Sequence, residues 1–399
     1  MRLAMLLYHY DSAGAVSRDV RNFAAELQQR GHHCRVYYLS WQGEPLPDAE
    51  LRRVPVKALK EYRREQRYRD WVWRDLAADP VDGVIGFDLI PGLDVYFTAG
   101  PCYLDEALAG QGWRHRRGGR FRRMAALERA VFSPDSHTEI LLISDTEREK
   151  FERHYHTPVS RMHLLPPGVP PGRRRPDDAS RRRRALRERL DIGALDYVLL
   201  FVGQDAGAGG LDRVIRALAR VREEQPSANA RLLVVGQAGS RQAGPRQAGP
   251  RQIRQLARKL DTVEAIEFLG ARDDLPDLML VADVLVHPAR RERDALAPLE
   301  ALVTGLPVVV SEDCGCAQHI RDSRGGIILP AQFDQDLLER AVLRMLDGIY
   351  RADCRESARM YLRLTDLYTL YSTGADCIER LIATRRQGRA DQAASTLHK

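Results

Sequence analysis

The chain has 399 residues, 44% apolar and 29% charged, with 62 Lys and Arg against 55 Asp and Glu for a formal charge of +7. That length exceeds what one core ordinarily serves, so two domains of roughly 150 to 200 residues are expected. The composition excludes a disordered chain, a collagen-like repeat and a low-complexity fibre. Arginine carries almost all the positive charge, and its guanidinium makes bidentate phosphate contacts that lysine cannot. Anionic partners follow, with nucleotide, phosphorylated lipid and nucleic acid all open on charge alone.

Met1 to Tyr8 is too short for a secretory apolar region and lacks a small-residue cleavage site. It reads as a first buried strand, with the cytoplasm as the expected compartment. The apolar runs are strand-sized, well below the roughly 20 residues of a membrane-spanning helix. Candidate strands in the first half are 3–8, 34–39, 83–87, 95–99 and 140–144, with helix-period stretches at 16–30 and 121–131 between them. The second half repeats the alternation with strands at 197–203, 231–236, 266–270, 284–287, 307–311 and 326–329. This is the pattern of open parallel sheets covered by helices, whose ligands lie beyond the C-terminal strand ends.

Pro166-Pro167-Gly168-Val169-Pro170-Pro171-Gly172 marks the join, and an arginine run over 173–189 follows it. The expected division is an N-terminal domain over 1–170, a linker with the basic run over 171–195, a C-terminal domain over 196–350, and a helix with a loose tail over 351–399. The pentapeptide at 241–245 recurs at 246–250 and reads as a lengthened surface loop without function. The six cysteines read as reduced thiols, since Cys314-Gly315-Cys316 is not a zinc-knuckle spacing.

Two segments carry the chemistry. After the first strand, Ser12-Ala13-Gly14-Ala15 opens a helix; small residues and outward N–H groups suit an anion there, although a simple tight turn has the same sequence. After the strand at 284–287, Glu292 lies in a loop and Glu300 about one turn into the next helix. One carboxylate is placed to face a reacting sugar and the other a ribose diol, leaving the N–H groups of Ala295, Leu296 and Ala297 for a diphosphate. Two surface glutamates near a helix start, favoured by the dipole, have the same pattern.

With the paired α/β halves, the Glu-x7-Glu spacing, Pro166-Pro167-Gly168-Val169, His287-Pro288-Ala289 and Gly305-Leu306-Pro307-Val308, the chain resembles the retaining glycosyltransferases of family 4. The resemblance implies a GT-B fold: two Rossmann-like doubly wound domains facing across a cleft, with a C-terminal helix returning to the first. It implies transfer of a hexose, glucose from UDP-glucose, to a heptose of the lipopolysaccharide inner core, with no metal or other cofactor. It assigns catalytic roles to Glu292, at the donor hexose, and to Asp19, with Arg18 near the cleft, and gives Glu300 to the ribose, Gly14 to the diphosphate, Gly203 to the donor and Arg272, only loosely, to the base. Relatives carry two basic residues where this chain has Ala208 and Gly209, a loss of about 3 kcal/mol of transition-state stabilisation for each missing donor. Arg290, Arg291 and Arg293 crowd the donor loop and are the candidates to replace them. The alternative is a catalytically silent homologue serving as a membrane-associated scaffold.

Trp113, Arg114, Arg116, Arg117, Arg120 and Phe121 interleave cations with aromatics. This is the composition of an interfacial segment on anionic lipid, where each cation contributes about 1 kcal/mol. With a lipid-linked acceptor, the expected place is peripheral on the inner face of the inner membrane. Nucleic acid is not expected as a partner.

Overall fold

The computed structural model describes residues 1–12, 14–110, 118–203, 209–236, 250–290 and 296–397. The chain divides into two compact units, Met1–Gly168 with Thr369–Lys399, and Val169–Tyr368.

Strand β1 (Arg2–Leu6) is buried from Leu3 to Leu6, as a central parallel strand covered on both faces must be. Around it, β3 (His33–Tyr38), β5 (Glu50–Arg53), β6 (Gly83–Gly86), β7 (Val95–Thr98), β8 (Glu139–Leu142) and β9 (Met162–Leu164) form a parallel sheet in the order β5-β3-β1-β6-β7-β8-β9. Short β2 (His9–Asp11) and β4 (Ser40–Gln42) pair separately beyond the C-terminal ends of β1 and β3. Helix α1 (Ala15–Gln29) buries Val20, Phe23, Ala24 and Leu27, one stripe at helical spacing. Gly31, at φ +81, ends it by donating to Gln28 O at 2.9 Å. Then come α2 (Glu61–Ala78), α3 (Tyr103–Gly110), α4 (Gly119–Phe132) and α5 (Asp145–Tyr155). Alternate residues of β1 serve opposite cores, Leu3 and Met5 in one and Ala4 and Leu6 in the other.

In the second unit, α6 (Ala179–Arg189) precedes a six-stranded parallel sheet built from β10 (Val198–Val202), β11 (Arg231–Val235), β12 (Ile266–Gly270), β13 (Val284–His287), β14 (Val308–Ser311) and β15 (Gly326–Leu329). The order is β12-β11-β10-β13-β14-β15. Its helices are α7 (Leu211–Glu224), α8 (Pro250–Lys259), α9 (Leu275–Val281), α10 (Leu296–Thr304), α11 (Ala317–Ser323), α12 (Gln335–Arg344) and α13 (Gly348–Leu362). The last helix, α14 (Leu370–Leu397), returns to the first unit, where Leu370, Ala375, Ile378 and Ile382 join the core of β1 and α1. Ile382 lies so close to β6 that a Cβ on Gly83 would stand 2.3 Å from it.

The strands expected from apolar runs are present to within a residue or two at each end. Polar β5 and three-residue β2, β4 and β9 carry too little apolar signal to be read in advance. The domain limits differ from expectation. The basic run is no linker: α6 belongs to the second unit, and Arg183 Nη1 donates to the carbonyls of Leu280, Val281 and Ala282 at 2.6–2.7 Å. Those carbonyls end α9 and lack intrahelical donors, so a partly exposed guanidinium serves them. The return to the first unit begins at Thr369 rather than 351, because α13 packs on α11 and α10 of the second unit. Residues 241–249 of the repeat lie outside the described residues. Among the described residues no helix is long and apolar enough to cross a membrane.

Candidate active site

In each sheet the strand order reverses once, between β1 and β6 in the first unit and between β10 and β13 in the second. The C-terminal ends of these strands are where doubly wound sheets take ligands.

In the first unit, Gly14 precedes α1 in extended conformation, its N–H bonded to Asp11 O at 2.7 Å, and no side chain caps the helix. Asp11 N donates to Ser17 Oγ at 2.8 Å, and Ser12 N to Gln42 O at 3.0 Å, so the turn is fixed from both sides. Asp19 is 3% exposed and accepts from the Tyr371 hydroxyl of α14 at 2.9 Å, with the Arg18 guanidinium 3.4 Å away. Its carboxylate thus ties α1 to α14, a positioning contact rather than one open to a reactant. Across the reversal, Asp88 follows β6 and accepts from Tyr8 N at 2.7 Å. Burial pushes the Asp88 carboxyl up to about 6. Arg69 Nη1 donates to the Tyr8 hydroxyl at 3.1 Å, and His9 meets Ser40 Oγ at 2.7 Å. Sequence reading passed over Asp88, Tyr8 and Arg69; the available signal was a carboxylate directly after an apolar strand.

In the second unit, Gly203 N donates to Val235 O at 3.0 Å at the end of β10. Gly210 opens α7 at φ +78, and a Cβ there would stand 2.4 Å from Pro288 O. Glycine is therefore required for conformation and for close approach. Arg213 Nη1 also donates to Pro288 O, at 3.0 Å, which fixes the loop after β13 against α7. Arg290 makes a bidentate pair with Asp212, both contacts 2.7 Å, and that bond holds its guanidinium above its ordinary value. Leu296 and Ala297 form the first turn of α10. Glu300 is 5% exposed, and its Oε1 accepts from Arg173 Nε at 3.1 Å. Arg175 Nη1 bonds Thr304 O at 2.9 Å, so the start of the basic run braces α10 at its middle and its C-terminal end.

The structure thus brings Gly203, Arg290, Leu296, Ala297 and Glu300 to one end of the second sheet. Arg272 follows edge strand β12, two strands from β10, and is engaged by Asp274 at 2.8 and 2.6 Å. Glu292, Ala295, Arg291, Arg293 and Ala208 lie outside the described residues, as do Trp113, Arg114, Arg116 and Arg117. Arg120 and Phe121 open α4, with the Phe121 ring 6.1 Å from that of Tyr103. Exposed Arg123 lies 4.3 Å over Tyr62 and extends the same basic face to α2. Among the described residues no three His, Cys, Asp or Glu side chains are grouped to hold a metal ion.

Residues 16–173 match the model for Glycosyltransferase Family 4, and residues 182–361 that for Glycosyl transferases group 1. The chain is 36% identical over 379 residues to the lipopolysaccharide glucosyltransferase WaaG of Escherichia coli, covering 95% of this chain and 98% of that one. It is 30% identical over 230 residues to a D-inositol 3-phosphate glycosyltransferase of Salinispora arenicola, covering 55% of this chain and 50% of the relative. Among solved structures, that of WaaG, a glycosyltransferase involved in lipopolysaccharide biosynthesis, superposes with a TM-score of 0.84 over 94% of this chain and 99% of its own. Anabaena HepE in complex with UDP-glucose, 16% identical, shares the fold with a TM-score of 0.71 over 95% and 100%. With two doubly wound units, a returning C-terminal helix and this near full-length match, the chain belongs to the GT-B glycosyltransferases of family 4 and is a hexosyltransferase.

Proposed function

We propose that the protein transfers glucose from UDP-glucose to a heptose of the lipopolysaccharide inner core with retention of anomeric configuration. The observation that carries this reading is the 36% identity, over 95% of the chain, to a lipopolysaccharide glucosyltransferase. The relatives bear transferase names, which supports an active enzyme over a silent scaffold.

The donor binds at the β10/β13 end of the second unit. Glu300, held by Arg173, accepts from the ribose hydroxyls, and Glu292 faces the hexose. The N–H groups of Ala295, Leu296 and Ala297 meet the diphosphate at the start of α10, where the helix dipole favours negative charge. Cleavage of the glycosidic bond places the bonding electrons on the diphosphate, so donors aimed there stabilise the transition state more than the ground state. Arg290, Arg291 and Arg293 are the cations that replace a basic pair at Ala208 and Gly209, Arg290 by exchanging Asp212 for the diphosphate. The phosphorylated acceptor binds at the β1/β6 end of the first unit. The basic aromatic segment from Trp113 to Phe121, continued by Arg123, rests on the anionic inner leaflet.

Incubating the purified protein with UDP-glucose and a heptose-terminated core acceptor is expected to give an α-glucoside, read by mass and by the anomeric coupling in NMR. No transfer from UDP-glucose, with transfer from another nucleotide sugar, would overturn the donor assignment.

A further inference from the structure

We propose that Cys314 and Cys316 form a reversible redox site, a dithiol that hydrogen peroxide converts into an intrachain disulfide.

The two Sγ atoms lie 3.2 Å apart in the turn between β14 and α11, with Cys314 4% and Cys316 1% exposed. Main-chain bonds hold both residues: Cys314 N donates to Ser311 O at 3.0 Å, Ala317 N to Cys314 O at 2.9 Å, and Ile320 N to Cys316 O at 3.2 Å. The sulfurs are therefore brought together by the backbone of the turn. A disulfide requires about 2.05 Å, so closing it shortens the Sγ–Sγ separation by about 1.2 Å.

The reaction balances with peroxide as oxidant. A sulfur, taken as that of Cys314, attacks one peroxide oxygen; the O–O bond breaks, and the departing hydroxide takes the thiol proton as water. The Cys316 sulfur then attacks the sulfenic sulfur, the S–O bond breaks, and a second water leaves. Two thiols lose two electrons, and one peroxide becomes two waters. The second step is intramolecular between atoms already in contact, so it outruns capture by an external thiol. Cys34 and Cys102 are equally buried, but the Cys34 Sγ bonds to Ala24 O and the Cys102 Sγ to Glu128 at 3.9 Å each, so the Cys314 and Cys316 pair is distinguished by its two adjacent sulfurs.

The turn is joined to the donor end of the sheet. Ser311 Oγ donates to Ala289 O at 3.1 Å, and the next residue is Arg290, paired with Asp212. Closing the disulfide moves the Ser311 turn and, through it, the loop that presents Arg290. This coupling rests on the transferase reading; disulfide formation does not.

The test uses full-length protein with half-exposed Cys377 changed to serine. Stoichiometric hydrogen peroxide is expected to lower the intact mass by about 2 Da, and dithiothreitol to restore it. With Cys316→Ser added, the loss of about 2 Da is absent. Titration with UDP is expected to show severalfold weaker binding after oxidation and recovery on reduction. Retention of both thiols under peroxide overturns the redox site, and disulfide formation with unchanged UDP affinity overturns its coupling to the donor loop. Failure of the reduced protein to bind UDP overturns the transferase reading instead, and the mass measurement still decides the thiol chemistry.

Discussion

Asp94 and Asp283 occupy equivalent places in the two units, each directly before a strand, and each makes the same two-bond clasp. Asp94 N donates to Val84 O at 3.0 Å while its Oδ2 accepts from Val84 N at 2.8 Å. Asp283 does the same with Val198, at 2.8 and 2.9 Å. The cations differ. Arg385 of α14 reaches Asp94 at 3.1 Å, whereas Arg183, Arg187 and Arg351 converge on Asp283 at 2.7, 3.4 and 3.8 Å. Three arginines that composition would offer to a ligand are thus engaged inside the second unit, on a buried carboxylate and on helix-ending carbonyls. The first unit, by contrast, draws its cation from a distant part of the chain.

The largest effect expected from this contrast is at Asp283. Asp283→Ala leaves buried Arg187, the partly exposed Arg183 and Arg351 and the Val198 N–H without their acceptor and is expected to cost about 3–5 kcal/mol. Asp94→Ala is expected to cost about 1–2 kcal/mol, because the Arg385 side chain, 29% exposed, can turn to water. Urea unfolding of both variants reads the difference, and equal losses would break the contrast.

The two turns at the strand ends differ in a related way. Gly210→Ala forces φ +78 on a residue with a Cβ and drives that atom against Pro288 O, at an expected cost of about 2–3 kcal/mol together with loss of transfer. Gly14 sits at φ −82, which any residue adopts, and an added Cβ would meet Asp11 O at 3.2 Å. Gly14→Ala is therefore expected to cost under about 1 kcal/mol. A larger loss at Gly14 than at Gly210, in melting and in transfer rate, would reverse the roles assigned to the turns.

A further effect is a pH dependence in the first unit. Asp88 is raised from 3.8 to about 6, so the fold favours its neutral form. Its contribution is fully present below pH 3.8 and is lost as pH rises through 6. Asp88→Asn keeps an uncharged group there, so the stability of the wild type relative to this variant should fall between pH 4 and 6 and level off above. Urea midpoints across that range give the slope, and a flat difference would show that Asp88 titrates as it does unfolded.

Periodicity made the parallel strands of both units readable, because central strands buried on two faces must be apolar throughout. Glu300 was readable as a candidate site carboxylate, but its contact with Arg173 was not: they are 127 residues apart, and a run of arginines reads as a solvated face until a fold supplies acceptors. The same limit hid Arg183 and Arg187, whose acceptors lie about a hundred residues on. Asp88 and Tyr8 escaped notice because neither belongs to a spaced motif; only the strand order makes them neighbours.

Because α14 completes the core around β1 and α1, the polypeptide made first is the one whose folding finishes last. Until residues 370–382 have been synthesised, Phe23 and Gly83 face water where Tyr371 and Ile382 will later pack. The second unit, continuous from Val169 to Tyr368, has by then everything it needs. A chain released after Tyr368 should therefore carry a protease-resistant downstream unit and a protease-sensitive upstream one, the reverse of the usual vectorial order.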